Sequence, residues 1–203
     1  MLHWLWLAAC TPGTTDDTDA LGETGTTDTD STPGTTTTGH ELWESPGAPG
    51  TASAVAADAV AWCRGNWQPD AQIVRFDRVP GVGDGVFLFS ETDGENLCTY
   101  LVVPGIADPL TDVGGIAFYA PGYSYEHTDR LRGWAVDSDE AAAAFGFSAD
   151  DDVIVYINPA SHRQQISGST YDLSGYDDDH PMILVTDGST GGLVDGRTGA
   201  IIP

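Results

Sequence analysis

The chain contains no lysine. Its 7 basic residues are all arginine and stand against 31 acidic ones, a formal net charge of -24 over 203 residues. Such a surface repels phosphate backbones and anionic headgroups, which argues against nucleic acid as a partner. Long apolar runs are missing as well. No stretch approaches the roughly 20 apolar residues that a membrane-spanning helix needs. Cysteine is scarce, with 3 in the chain. Cys63 and Cys98 alone build no zinc site unless His or Asp completes it. A Gly-x-Ser-x-Gly nucleophile elbow is also absent from the sequence.

What is present begins at Cys10, where composition shifts abruptly from Leu, Trp and Ala to Thr, Asp and Gly. Leu7-Ala8-Ala9-Cys10 resembles the lipobox of bacterial lipoproteins. The resemblance implies that residues 1–9 are a signal-like segment, cut off before Cys10. It implies lipid attachment to the Cys10 thiol, and so a membrane partner through that anchor. It also implies a place in the cell envelope, with Thr11 after the cysteine favouring the outer membrane or cell surface. With Cys10 lipidated, Cys63 and Cys98 remain as an even pair. Export would put them in an oxidising compartment, where a disulfide persists. Closing that loop would add about 4 kcal/mol in the chain-entropy model.

Residues 10–50 then read as a disordered linker. Thr, Asp, Gly and Pro dominate it, and such a segment buries too little apolar surface to offset its ordering entropy. Asp17-x-Asp19-x-Leu21-Gly22 imitates the start of a calcium loop. Leu21 stands where an oxygen ligand belongs, however, and Asp28 stands where Glu closes such a loop.

Residues 51–203 read as one globular domain of the α+β class, β-rich, with an antiparallel meander and two short helices. Thr51 or Ser53 can cap an alanine-rich helix in which Val55, Ala59 and Trp62 recur at helical spacing. Gly65 is expected to end it. Three strands follow over residues 72–103, with Asp84-Gly85 and Asp93-Gly94 as hairpin turns. Ile116-Ala117-Phe118-Tyr119 reads as a short strand. Asp137-x-x-Glu140 reads as a capping-box helix start, continuing to about Phe145. Val153–Ile157 is apolar on both faces and reads as a central strand, with Met182–Val185 another. The last hairpin spans residues 192–202. Within it, Val194-Asp195-Gly196-Arg197-Thr198-Gly199-Ala200-Ile201 resembles the strand-turn-strand signature of PepSY-type secreted domains, a likeness too short to imply a function.

Three stretches carry candidate chemistry. Tyr123, Tyr125, His127 and Trp134 combine rigid contact area with polar handles, as ligand-binding surfaces do. His162 lies just past the central strand, where loops often hold binding groups. Adjacent side chains diverge, so Ser161 and His162 cannot act on each other, and a hydrolase would need a distant partner. Asp177, Asp179 and His180 form the most metal-like cluster, with Asp150-Asp151-Asp152 a second acidic run. Hard oxygens suit Ca2+, and a histidine among carboxylates suits zinc or manganese. No resident cofactor is otherwise expected.

These features together imply an exported, lipid-anchored, non-enzymatic surface binding or envelope-associated module with a protein or carbohydrate ligand. The alternative is a metal-dependent or hydrolytic extracytoplasmic enzyme that uses His162, His180 and the acids near them.

Overall fold

Alanine gives the first element both its propensity and its shape. Thr51 Oγ1 accepts the Ala54 N–H at 3.5 Å and caps helix α1, Ala52–Asn66. Gly65 does not stop the helix, which closes one residue later with the Trp67 N–H donating to the Cys63 carbonyl at 2.9 Å. The computed structural model describes residues 49–116, 131, 134–148, 151–162 and 171–203. All of these belong to one compact unit.

The expected meander follows as β1 (Gln72–Val79), β2 (Gly83–Phe89) and β3 (Asn96–Val102). Asp93-Gly94 lies in the second turn, as its chemistry suggests. Asp84-Gly85, however, lies inside β2. The first turn is made instead by Val79 to Val82, with Gly81 at φ 73° and the Val82 N–H on the Val79 carbonyl. Asp84 is thereby free to pair with Arg78, whose Nε and Nη2 meet its two carboxylate oxygens at 2.8 and 2.7 Å. Gly83 is required where it stands, since a Cβ there would come within 2.1 Å of the Val102 carbonyl oxygen.

The fourth strand differs from expectation. β4 is Leu110–Gly115, and Ile116 lies beyond its end. The remainder of the expected strand, 117–119, lies outside the described residues. Pairing with β3 makes β4 a strand although only Leu110 and Val113 in it are large and apolar. The second described helix, α2 (Ser138–Ala143), starts with the expected capping box of Asp137 and Glu140. It stops short of Phe145. β5 (Ile154–Pro159), β6 (Pro181–Thr186), β7 (Gly191–Asp195) and β8 (Ile201–Ile202) complete the sheet.

These eight strands form one sheet in the order β4-β3-β2-β1-β5-β6-β7-β8, with every neighbouring pair antiparallel. β5 is central, as its double-sided apolar character implies. The main core lies between α1 and one face. Ala52, Ala56, Ala59 and Cys63 of the helix meet Ile73, Phe76, Val86, Leu88 and Cys98 there. On the opposite face, Val74, Phe89 and Leu97 form one small cluster. Met182, Leu193, Leu173 and Ile202 form another. No helix among the described residues is long and apolar enough to cross a membrane.

Both ends of α1 are tied down. At its start, Asp137 Oδ1 accepts the Ser53 N–H at 3.2 Å and the Ser138 N–H at 2.7 Å, so one carboxylate serves the first turns of both helices. At its end, Cys63 bonds Cys98 across a Cα–Cα distance of 6.1 Å, within the range a disulfide spans. Trp62 and Trp67 pack against the core beside it. Reduction of this bond, or the pair Cys63→Ala and Cys98→Ala, is expected to destabilise the domain by about 2–4 kcal/mol. A fall in the denaturant midpoint checks this.

Candidate functional site

Of the sequence-derived ligand set, Trp134 and His162 lie among the described residues. Tyr123, Tyr125 and His127, like Cys10, lie outside the described residues. Trp134 is 1% exposed, and its Nε1–H donates to Ser53 Oγ at 3.1 Å beneath α1. It is a core residue, not a contact residue. Truncating such a side chain costs about 3–5 kcal/mol in packing alone, which accounts for an aromatic here without any ligand.

His162 ends a single 3-10 turn, Ala160–His162, that β5 runs into, and it is buried. The turn is held by the segment before β6. The Ala160 N–H donates to the His180 carbonyl and the Ser161 N–H to the Asp178 carbonyl, each at 2.9 Å. The acidic stretch and the post-strand loop, far apart in sequence, therefore share one corner of the sheet.

At that corner His180 has a specific partner that the sequence did not reveal. Its Nε2 lies 2.8 Å from Asp195 Oδ1, both side chains being largely buried. With the carboxylate ionised, Nε2–H is the donor. The pairing register explains the meeting: Met182 lies opposite Asp195, and His180 is two residues before Met182 on the same face. Asp195 Oδ1 also accepts the Arg197 N–H at 2.8 Å and the Thr198 N–H at 3.1 Å. Burial pushes the Asp195 carboxyl up, but the hydrogen bonds from His180, Arg197 and Thr198 outweigh it and hold the group below the ordinary Asp range. The Tyr176 ring flanks the imidazole, with centroids 4.8 Å apart.

This geometry leaves the expected metal set unassembled. His180 is committed to Asp195, and Asp179 Oδ1 faces Arg197 Nη2 at 3.5 Å. Among the described residues no group of three or more His, Cys, Asp or Glu is placed to hold an ion. Asp151, from the second acidic run, spends its carboxylate on the Ser148 N–H and hydroxyl.

An imidazole oriented by a carboxylate is the supporting half of a general-base arrangement. The nucleophile half is not engaged, because the Ser161 hydroxyl is buried and makes no hydrogen bond. Asn158 Oδ1 and Thr99 Oγ1 are likewise buried without a partner. Asn158 stands on the same face as Tyr156, two residues away. There Arg75 lies over the rings of Phe87 and Tyr156, at 5.5 and 5.9 Å from their centroids, and pairs with Asp77. Burial pushes the Asp77 carboxyl up despite that ion pair. A separate pocket of about 240 Å³ lies by the start of α1, lined by Thr51, Arg78, Ser138, Asp139, Ser148 and Asp151. Arg78 is already satisfied there by Asp84 and by the Gly50 carbonyl at 2.7 Å.

Because Asp195 is held in its charged form when folded, its contribution to stability is complete above the ordinary Asp range. That contribution is lost as pH falls through its own, lower value. Asp195→Asn should therefore cost about 1–3 kcal/mol near neutral pH, the scale of hydrogen bonds to a charged group. The difference from the parent protein should shrink as acid protonates Asp195 of the parent. Denaturant titrations of the two proteins across the acid range check this.

Compared with protein-family models, with curated proteins and with solved structures, the chain matches none.

Proposed function

We propose that this chain is a lipid-anchored, exported binding module. Cys10 carries the lipid, the Thr/Asp-rich stretch to Gly50 spaces the domain from the membrane, and the domain from Thr51 meets a protein or carbohydrate ligand outside the cytoplasm. The observation that carries the reading is the Cys63–Cys98 bond. Disulfides of this structural kind persist in oxidising compartments and are rare where thiols are kept reduced. The lipobox-like Leu7-Ala8-Ala9-Cys10 supports the same placement independently. On their chemistry, Tyr123, Tyr125 and His127 remain the contact residues of this reading.

Mass spectrometry of the mature protein should find a lipidated N-terminal Cys10. Cys10→Ser should move the protein from the membrane fraction to the soluble one. An intact Met1 with a free thiol at position 10 would contradict the reading.

One observation favours a second reading, an extracytoplasmic hydrolase: the buried His180–Asp195 hydrogen bond. Under that reading a fluorophosphonate probe labels Ser161, and His180→Ala abolishes the labelling. Under the binding reading Ser161 stays unlabelled, because its hydroxyl is neither exposed nor activated.

A further inference from the structure

The cavity of about 240 Å³ beside the start of α1 is lined by described residues throughout. Stretches distant in sequence build it: Pro49 to Thr51, the first turn and a half of α2, Ser148 with Asp151, and the start of β5. It is smaller than the roughly 300–1,000 Å³ that houses a drug-sized ligand, so it suits a single ring. Ala142, Val153 and Val155 are buried there and give it an apolar wall.

Its polar groups are left with specific needs. Ser138 is 1% exposed. Its Oγ accepts the Ala52 N–H at 3.0 Å and Arg78 Nη1 at 3.3 Å, which uses both lone pairs. The O–H proton finds no acceptor among the described residues. A buried donor in that state costs free energy that an incoming oxygen would recover. Asp139 makes no hydrogen bond among the described residues and acts on Arg78 through its charge alone. Asp151 holds the Ser148 N–H and hydroxyl with Oδ2, at 2.6 and 2.9 Å, which leaves Oδ1 for another donor.

These needs select a chemistry. With Arg78 paired to Asp84, the carboxylates of Asp139 and Asp151 set the charge of the cavity, which turns away phosphate and carboxylate ligands. A bare metal ion would leave the Ser138 proton unanswered, and no group of three or more His, Cys, Asp or Glu among the described residues is placed to hold one. A hydroxyl accepts from Ser138, an ammonium donates to the carboxylates, and the C–H groups of a ring pack on Val153 and Val155. We infer that the cavity takes one carbohydrate ring bearing a free amine, an amino-sugar unit. The ammonium lies against Asp139 and Asp151 Oδ1, and a ring hydroxyl accepts the Ser138 proton. This deepens the binding-module reading and rests on it only in the choice of a carbohydrate ligand. It does not depend on the lipid.

The test uses the full chain carrying Cys10→Ser, in solution at about pH 6, where the amine and both carboxylates are charged. The probes are glucosamine, glucose, which lacks the amine, and propylamine, which lacks the hydroxyls. Glucosamine should shift the amide signals of Ser138, Asp139, Ser148 and Asp151. It should bind at least about tenfold more tightly than either control. Asp139→Asn and Asp151→Asn alter exposed side chains. Each should weaken glucosamine binding about tenfold and leave glucose within about twofold. Ser138→Ala should reduce glucosamine to the affinity of propylamine. Because Ser138 also holds the first turn of α1, deoxy forms of glucosamine read the same contact on the unaltered serine. One of them should lose about tenfold in affinity. No shift at about 50 mM glucosamine, shifts confined to other parts of the sheet, a control that binds as tightly as glucosamine, or equal affinity in both Asn variants would overturn the proposal. Such a failure leaves the anchored binding module with a protein ligand, whereas an unlipidated Cys10 would leave these affinities unchanged.

Discussion

The domain depends on how closely one helix lies against its sheet. Ala52, Ala56 and Ala59 are fully buried on the inner face of α1, and Cys63 continues that row. Side chains this small bring the backbone of the helix near the strands, so that Ile73, Phe76 and Leu88 pack directly beneath it. The same smallness limits what the helix gains from burial, because an alanine removes far less apolar area from water than a leucine. The structure offsets this at both ends. The disulfide holds the last turn to β3, and the Asp137 and Ser138 side chains hold the first turn through the Ser53 and Ala52 N–H groups. Ser53 in turn holds the Trp134 indole, so helix docking and the largest buried side chain are coupled.

The sheet itself has two faces, and they differ in kind. The helix face is mainly apolar, with the Arg78–Asp84 ion pair at its margin near the start of α1. The other carries two small apolar clusters with an ionic strip between them, in which Arg75 is stacked on Phe87 and Tyr156 and paired with Asp77. A half-buried ion pair of this sort is weak evidence of stability, since desolvation offsets much of the attraction. The raised Asp77 carboxyl expresses that cost directly. His180–Asp195 lies on the same face, at the β5–β6 corner, with its carboxyl shifted the opposite way because three donors surround it. Polar groups thus gather on this face and, on the helix side, around the start of α1, where Arg78, Asp84, Asp137 and Ser138 meet.

Local signals were legible where they were self-sufficient. The Thr51 cap, the Asp137/Glu140 capping box, the period-two runs of the meander and the double-sided apolar run of β5 each describe one element without reference to another. What was missed needed a partner to exist. Leu110-Thr-Asp-Val-Gly-Gly115 has little strand character, and only its register with β3 makes it a strand. Asp84-Gly85 has the chemistry of a hairpin turn, but Pro80-Gly81 turned the chain first and left Asp84 to Arg78. The His180–Asp195 pair follows from strands β6 and β7 lying side by side, and nothing in either stretch alone announces it. The type and neighbours of Trp134 suggested a contact residue, and its burial and hydrogen bond to Ser53 make it a core one. The adjacency of Asp177, Asp179 and His180 suggested a metal, and the commitments of His180 to Asp195 and of Asp179 to Arg197 dissolved that set.

The central claim is that this domain does its work outside the reducing cytoplasm, closed by Cys63–Cys98. The most direct measurement is the redox state of those two residues in the cell. Cells are quenched in acid, free thiols are blocked with a heavy alkylating tag, and the protein is resolved with and without prior reduction. The account predicts that Cys63 and Cys98 take up no tag until reductant is added and then take up one each. Tagging of both in unreduced cells would place the domain among reduced thiols and contradict it.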